Sequence, residues 1–589
     1  MISWILITFV LRLRSVSAEV DPSLEVNQTT NHSSSPEVLQ IYLRQGPIIA
    51  EKQSTDIPDR YYYAFRGIPY AKPPVGKLRF QDPVPSGRWS ELRNGSVIPP
   101  QCPQIAITFY TEGKLEVVGE EDCLYLNVFS PKVERNRERG LPVMVWIHGG
   151  AFSFGNSSFY KPLPLLNHDI ILVTIQYRLE TLGFLSTEDP VIPGNFGLKD
   201  QTLALRWIKE NIDSFGGDDS RITLFGQSAG AASVHFQMMV ADNYGLFHRV
   251  ILQSGSALCP WALASNHREV AMKIGQLFNC SSVSKIRSDR LLSCLQEAPV
   301  KELTLAAQYF AVWHFAPAVM KPRIDGSYLE NHPAYLLKNN YYRQVNMLSG
   351  NTKDEGADYA LDVLRNPDWV SAVKNNFKEA APVALRMGSE TEDPEHMARR
   401  AFYHYVNDVE INENINGFVK LISDRLYTAC QDEAAKFHSK GSDSYGPRIY
   451  RYKLLHRGQN SYSDPYENPL SKNWVTHADD LQYLFESTVW PFQPLERPDD
   501  LFVRDIMLKM WTNFARDGNP TPSKSLGFRW TPMRQSEMEY LAIQTVPEMK
   551  PDEDCKMRTF WRDFPIIQND LLHDEDCNKE KTEVKCIYY

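Results

Sequence analysis

Gly226-Gln227-Ser228-Ala229-Gly230 is the one G-x-S-x-G in the sequence. An apolar strand-like run, SRITLFG, leads into it, and a run of small residues, AGAASVHFQMMV, leaves it as a predicted helix. Strand, tight turn and helix form the setting in which a strained turn lifts a serine hydroxyl above a sheet. Glycines two positions either side suit that turn, because the crowded backbones leave no room for a Cβ. Taken alone, the pentapeptide also fits an ordinary strand-to-helix turn. A serine hydroxyl is a weak nucleophile until a base takes its proton. The rest of the chain must supply that base.

Six histidines lie in the last third of the chain: His396, His404, His438, His456, His477 and His573. His573 falls in a charged tail, and the segments around His396, His404 and His438 read as helix. His456 ends a strand-like run, RIYRYKLLH, while His477 opens HADDLQYLF in a loop. Catalytic groups of parallel sheets sit on loops after strand ends, so His456 and His477 both remain. An acid must orient the imidazole and stabilise its charged form. GNTKDEG, after the strand predicted over 344–351, offers Asp354 and Glu355 in one turn. Donors for a tetrahedral oxyanion are expected from the backbone of WIHGGAF, joined by the N–H of Ala229.

These groups need a frame. LPVMVWIHGG at 141–150 is a continuous apolar run ending in two glycines, as for a strand buried on both faces. DIILVTIQYRL at 169–179 repeats the pattern. Between Asp200 and Ile212, Ala204, Trp207, Ile208 and Ile212 share one helical stripe. Strands alternating with helices predict an α/β fold with a central, mostly parallel mixed sheet flanked by helices. The stretches 259–340 and 357–445 read as helical, irregular insertions that cap the sheet. No 20–50-residue repeat and no heptad run is present.

The chain resembles the type-B carboxylesterase/cholinesterase family of α/β-hydrolases over nearly its whole length after the N-terminal lead-in. The resemblance rests on FRGIPYAKPPVGKLRF (65–80), EDCLYLNVFSP (121–131), VWIHGGAF (145–152), GNFGLKDQTLALRWIKENIDSFGGD (194–218), FGQSAG (225–230), KDEG (353–356) and HADDLQYLF (477–485). It implies Ser228 as nucleophile, Glu355 as acid, His477 as base, and Gly150, Ala151 and Ala229 as oxyanion donors. It also implies disulfides Cys102–Cys123 and Cys280–Cys294, whose short separations suit loop closure. Ala151 stands where many members carry a third glycine, and Trp474 where glycine is common three residues before the histidine. Gln227 replaces the commoner glutamate. The Gly-Gln-Ser-Ala-Gly form, with GSALCPWAL (255–263), is similar to arthropod secreted carboxylesterases, namely the juvenile-hormone-esterase-like and venom carboxylesterases.

At 589 residues and 43% hydrophobic content the chain can bury a large core. A net charge of −9 without a basic block predicts no nucleic-acid partner. Residues 2–10 form a short apolar run and Val16-Ser17-Ala18 a small-residue cleavage site, so 1–18 is expected to be a signal peptide. Residues 19–38 read as a flexible polar segment, 39–566 as one catalytic domain and 567–589 as a polar tail. Sequons at Asn27, Asn31, Asn94, Asn156 and Asn279 suit a secreted glycoprotein. No membrane anchor is expected. Nine cysteines leave at least one unpaired or intermolecular, and the partners of Cys259, Cys430, Cys555, Cys577 and Cys586 stay open. Cys586, near the C-terminus, allows a disulfide-linked homodimer as the alternative to a monomer.

The reading is therefore a secreted serine carboxylesterase acting on a small-molecule ester. No metal or other cofactor is expected, since no cysteine/histidine cluster has ligand spacing. A juvenile hormone esterase is the specific alternative. A cholinesterase is a second alternative, although the stretch between Cys102 and Cys123 has no tryptophan for a cation cage, only Phe109 and Tyr110. A non-catalytic adhesion homologue is the alternative of another class, and it would typically lose a triad residue.

Overall fold

The structure, a computed structural model, describes residues 39–106, 115–133, 139–280, 286–314, 316–388, 390–440, 446–487, 493–534 and 536–573. From Leu39 onward the chain clusters as one compact unit. The signal and lead-in segments, Asn27, Asn31, Phe109, Tyr110, Cys577 and Cys586 lie outside the described residues.

Apolar runs become the strands of an eleven-stranded sheet. In chain order they are β1 (Glu51–Ser54), β2 (Tyr61–Pro69), β3 (Tyr125–Ser130), β4 (Leu141–Ile147), β5 (Ile171–Ile175), β6 (Gly217–Gln227), β7 (Arg249–Gln253), β8 (Asn346–Thr352), β9 (Ile449–Leu454), β10 (Tyr540–Ile543) and β11 (Glu548–Lys550). Their spatial order is β11-β10-β9-β8-β7-β6-β4-β5-β3-β2-β1. Every neighbouring pair from β10 across to β5 is parallel, and the pairs at both margins are antiparallel.

Alternation along β4 explains why its run is apolar throughout. Val143, Val145 and Ile147 join a core with Ala204, Trp207 and Ile208 of α1 (Phe196–Asn211) and Ala231 and Val234 of α2 (Ala229–Met239). Met144 and Trp146 point the other way, into a core with Met507, Met510, Trp511 and Phe514 of α3 (Pro498–Asp517). Successive side chains of a strand face opposite sides, so a sheet covered on both faces needs apolar residues at every position.

Helix α1 starts at Phe196, four residues before the start expected at Asp200. Its stripe is interrupted by a buried ion pair, Arg178–Asp200 at 2.7 Å, so hydropathy alone understates the turn. Between 357 and 440 the insertion is helical, as expected. Helices Ala357–Leu364, Phe377–Ala384, Pro394–Val406 and Ile415–Ser423 pack around their own core with Trp313, Trp474 and Trp561. The expected polar tail begins with another helix, Ile567–Leu572, which buries Leu572.

Disulfides join Cys102–Cys123, Cys280–Cys294 and Cys259–Cys430. The third spans 171 residues and had no signal in the sequence. A cross-link over so long a loop restricts the unfolded chain strongly. Replacing Cys259 and Cys430 together by alanine should lower the unfolding free energy by about 2–5 kcal/mol, read from urea denaturation of the intact chain. Asn94 and Asn279 are exposed, whereas Asn156 is buried. Asn156 Oδ1 accepts the Ser158 N–H, and its Nδ2 donates to Gln101. A glycan at Asn156 would have to displace those bonds.

No helix among the described residues is long and apolar enough to cross a membrane.

Candidate active site

Strand order brings the candidates together at the carboxyl ends of the parallel strands. In register, Gly226 lies between Ile147 and Leu252. Ser228 follows the end of β6 at φ 58°, ψ −125°, a conformation that favours glycine. Its N–H is held by the Gln253 carbonyl at 2.8 Å. The flanking glycines meet the steric demand read from the sequence. A Cβ on Gly226 would lie 2.5 Å from the Gly230 backbone, and one on Gly230 would lie 2.0 Å from the Ile147 carbonyl oxygen. All of α2 is buried, and its polar residues Ser233, His235 and Gln237 are hydrogen-bonded inside.

Both residues of the acidic turn after β8 are used, for different tasks. Glu355 is fully buried, and its Oε2 accepts from His477 Nδ1 at 2.6 Å. Its Oε1 accepts the Thr352 N–H at 2.7 Å and the Ser254 hydroxyl at 2.6 Å. Asp354 instead clamps the histidine loop: its Oδ2 accepts the Val475 N–H at 3.0 Å, and its own N–H donates to the Val475 carbonyl. Asp358 and Asp479 fasten the next residue, Thr476.

His456 is engaged elsewhere, 2.6 Å from Asp500 in the first turn of α3. His404 stacks on Phe560, and His438 meets His235. Only His477, among the histidines singled out from the sequence, meets the acid of this turn.

With Nδ1–H given to Glu355, His477 Nε2 carries the lone pair. Among the described residues no hydrogen bond joins it to Ser228. It accepts instead from the side-chain amide of Gln227, at 2.9 Å. Catalytic hydrogen bonds of this kind are often longer without substrate and tighten in the complex. Burial by itself would lower the His477 pKa, but the Glu355 hydrogen bond and charge, then Asp358 and Asp480, raise it above its ordinary value. Burial pushes Asp358 and Asp480 up to about 6 each.

The loop after β4 is pinned plane by plane. Buried His148, stacked on Tyr177, has its pKa lowered by burial to about 4 and stays neutral. Its Nδ1 holds the Gly149 carbonyl at 2.8 Å, which fixes the peptide carrying the Gly150 N–H. The Gly150 carbonyl accepts from Ser153 and Phe154, which fixes the peptide carrying the Ala151 N–H. Gly150 has φ 104° and Ala151 φ 53°. Among the described residues the N–H groups of Gly150, Ala151 and Ala229 meet no backbone acceptor beyond their own elements. Ala151 is exposed. Trp474 has extended backbone, φ −104°, with its ring buried in the helical insertion and Nε1 donating to Asn416. Nothing at that position demands glycine.

Sequence reasoning missed two neighbours of the histidine. Tyr427 packs its ring 4.5 Å from that of His477. It sits in a π-helical turn, Asp424–Thr428, of the kind often found at functional sites. The Cys259–Cys430 disulfide and the Trp261 indole, which donates to the Leu426 carbonyl, tie that turn to the loop after β7. Gln227 was visible as an unusual letter, but its contact with His477 depends on β6 and a loop 250 residues away.

A mostly parallel sheet, a serine at positive φ between strand and helix, and an acid–histidine pair after later strands define an α/β-hydrolase. Comparison with known proteins agrees: the profile of the Carboxylesterase family matches residues 37–561. The chain belongs to that family. It is 32% identical to venom carboxylesterase-6 of Apis mellifera over 526 residues, covering 87% of this chain and 92% of the relative. It is 34% identical to the juvenile hormone esterase of Tribolium castaneum over 515 residues, 83% and 85% of the two chains. It is also 32% identical to pyrethroid hydrolase Ces2a of Mus musculus over 528 residues, 88% and 90% of the two chains.

Proposed function

We propose that this carboxylesterase hydrolyses carboxylic esters by two-step acyl transfer on Ser228. His477 Nε2 takes the hydroxyl proton as the serine oxygen bonds to the ester carbonyl carbon. The carbonyl oxygen becomes an oxyanion held by the N–H groups of Gly150, Ala151 and Ala229. His477 then returns the proton to the departing alcohol, leaving an acyl-serine. Water, deprotonated by the same nitrogen, attacks that acyl group, and the acid leaves as the serine is re-protonated. The carrying observation is the Glu355–His477 pair at 2.6 Å, set beside a serine at φ 58°. Covalent labelling by a fluorophosphonate tests it, and folded wild-type protein that takes no label would return the chain to the scaffold reading.

The Gln227 contact makes a pH prediction. A base works when neutral, so kcat/KM rises as His477 loses its proton. Because the pKa of His477 is raised, the acid limb is expected above pH 6.5. Gln227→Glu would set a carboxylate against Nε2, favour the imidazolium and move that limb to higher pH. A pH profile of kcat/KM with p-nitrophenyl acetate reads the shift.

For the substrate, the relatives' names support ester hydrolysis. Similarity to an insect juvenile hormone esterase, together with Gln227, favours that hormone as a second, narrower reading. Comparing kcat/KM for juvenile hormone with short p-nitrophenyl esters separates a hormone esterase from a general one. Export is part of the proposal. Residues 1–18 read as a signal, and three disulfides suit an oxidising compartment. So does a relative whose name places it in venom.

A further inference from the structure

A buried lysine stands behind the oxyanion loop. Lys321 is 3% exposed, and its Nζ donates to the carbonyl of Ala151. The Ser153 hydroxyl donates to the same oxygen at 3.2 Å. The ammonium also lies 5.5 Å over the ring of Phe152. The segment that carries Lys321 is itself fastened. Asn195 binds the Arg323 N–H and carbonyl, and Ala264 N–H donates to the Pro322 carbonyl.

The charged groups that bear on Lys321 are Glu180 and Arg386. Burial lowers the lysine's pKa, Glu180 raises it, and Arg386 lowers it again. Glu180 is buried too, and its Oε2 has no hydrogen-bond partner among the described residues. Burial raises the pKa of Glu180, while the Ser153 hydroxyl and Lys321 lower it. The Glu180 N–H donates to the Phe152 carbonyl at 2.9 Å, one peptide beyond the one Lys321 holds. The Lys321 side chain and the Glu180 backbone thus hold consecutive peptides of one loop.

That loop needs a grip. Ala151 at φ 53° and Phe152 at φ 61° are consecutive left-handed residues, neither of them glycine. Each is penalised because its Cβ crowds the following carbonyl. The Gly149–Gly150 and Gly150–Ala151 peptides are held by His148 and by the Ser153 and Phe154 N–H groups. The next peptide, Ala151–Phe152, which sets the far side of Ala151, is held by Lys321.

We propose that Lys321 is a positioning residue for ester hydrolysis: it locks the left-handed Ala151 so that the Ala151 N–H meets the oxyanion. This rests on the reading of Ser228 as nucleophile and of Gly150, Ala151 and Ala229 as donors. The lysine touches no substrate. It replaces, by a side-chain anchor, the conformational ease that a third glycine would have supplied.

The test is Lys321→Met in the full chain. Loss of a direct oxyanion donor costs about 10²–10³ in turnover, so loosening one donor is expected to cost about 10–100-fold in kcat. KM for a short p-nitrophenyl ester should stay within about threefold, because the donors bind the transition state more than the ester. A trifluoromethyl ketone, whose serine hemiketal carries an oxyanion, should bind about 10–100-fold more weakly. Adding Ala151→Gly should restore much of the kcat that Lys321→Met loses, since glycine adopts the left-handed conformation freely. A lysine serving only stability would show no such rescue. If Lys321→Met does not fold, Glu180→Gln keeps the side-chain shape and should still lower kcat and ketone affinity at constant KM. Unchanged kcat and ketone affinity in a folded variant, or no rescue by glycine, overturns the proposal. Wild-type protein that resists fluorophosphonate overturns the nucleophile reading, and this proposal with it. A labelled wild type with an indifferent Lys321→Met overturns the proposal alone.

Discussion

Ser228→Ala is expected to lower ester turnover by about 10⁶-fold and to abolish fluorophosphonate labelling. Removing the hydroxyl removes the acyl-enzyme route altogether, so this effect should be the largest of any single substitution. The remaining rate would come from binding and from the oxyanion donors acting on water. Stability should change little. Ser228 is partly exposed, and the Ser228 N–H to Gln253 bond that anchors the turn belongs to the backbone. Alanine meets the same cost at φ 58° that serine already meets. Active-site titration with a fluorophosphonate, beside thermal unfolding, separates lost chemistry from lost fold. A folded variant that still turns over ester at a tenth of the wild-type rate would rule out Ser228 as nucleophile.

Glu355→Gln comes second, with an expected loss of about 10⁴-fold in kcat. The substitution preserves shape, and the amide oxygen can keep the Thr352 N–H and Ser254 hydroxyl now bound by Oε1. The amide nitrogen is left facing His477 Nδ1, where Oε2 accepted the Nδ1–H hydrogen bond. That forces the histidine proton onto Nε2, and the lone pair needed to deprotonate Ser228 is gone. The imidazolium formed during reaction also loses its counter-charge. Without Glu355, burial dominates His477 and lowers its pKa, so the residual acid limb should move to lower pH. A loss below about tenfold with an unmoved limb would show that Glu355 only packs.

Asp354 and Glu355 illustrate where local reading stops. They are adjacent in one turn, and pattern alone gave them equal standing. The family resemblance pointed to Glu355, and of the two residues it is Glu355 that meets His477 in the structure. After β8 the chain turns so that Glu355 points under the sheet's end toward His477, while Asp354 points to the backbone of Val475. His456 and His477 both stayed open on local sequence, which favoured His477 only mildly, until the fold put His456 against Asp500. The strands themselves were more legible. A run such as LPVMVWI, buried on both faces of a parallel sheet, has no competing reading in a loop, and β4, β6, β8 and β9 fall where their runs predict. Helix α1 was legible in its stripe but not in its first turn, where a buried Arg178–Asp200 pair replaces apolar residues.

The sequence by itself determined what depends on near neighbours along the chain: the buried strands, the elbow around Ser228, and the two glycines whose missing Cβ atoms let β6 and α2 approach. The exclusion between Gly226 and Gly230 acts over a few residues, so it leaves a local signature. Tertiary structure alone decided what depends on partners far apart in sequence: Gln227 on His477, Tyr427 beside the same ring, Cys259 with Cys430, and Lys321 on the Ala151 carbonyl. Those pairings depend on which strand lies beside which and on where each loop returns. No short stretch of residues carries that order.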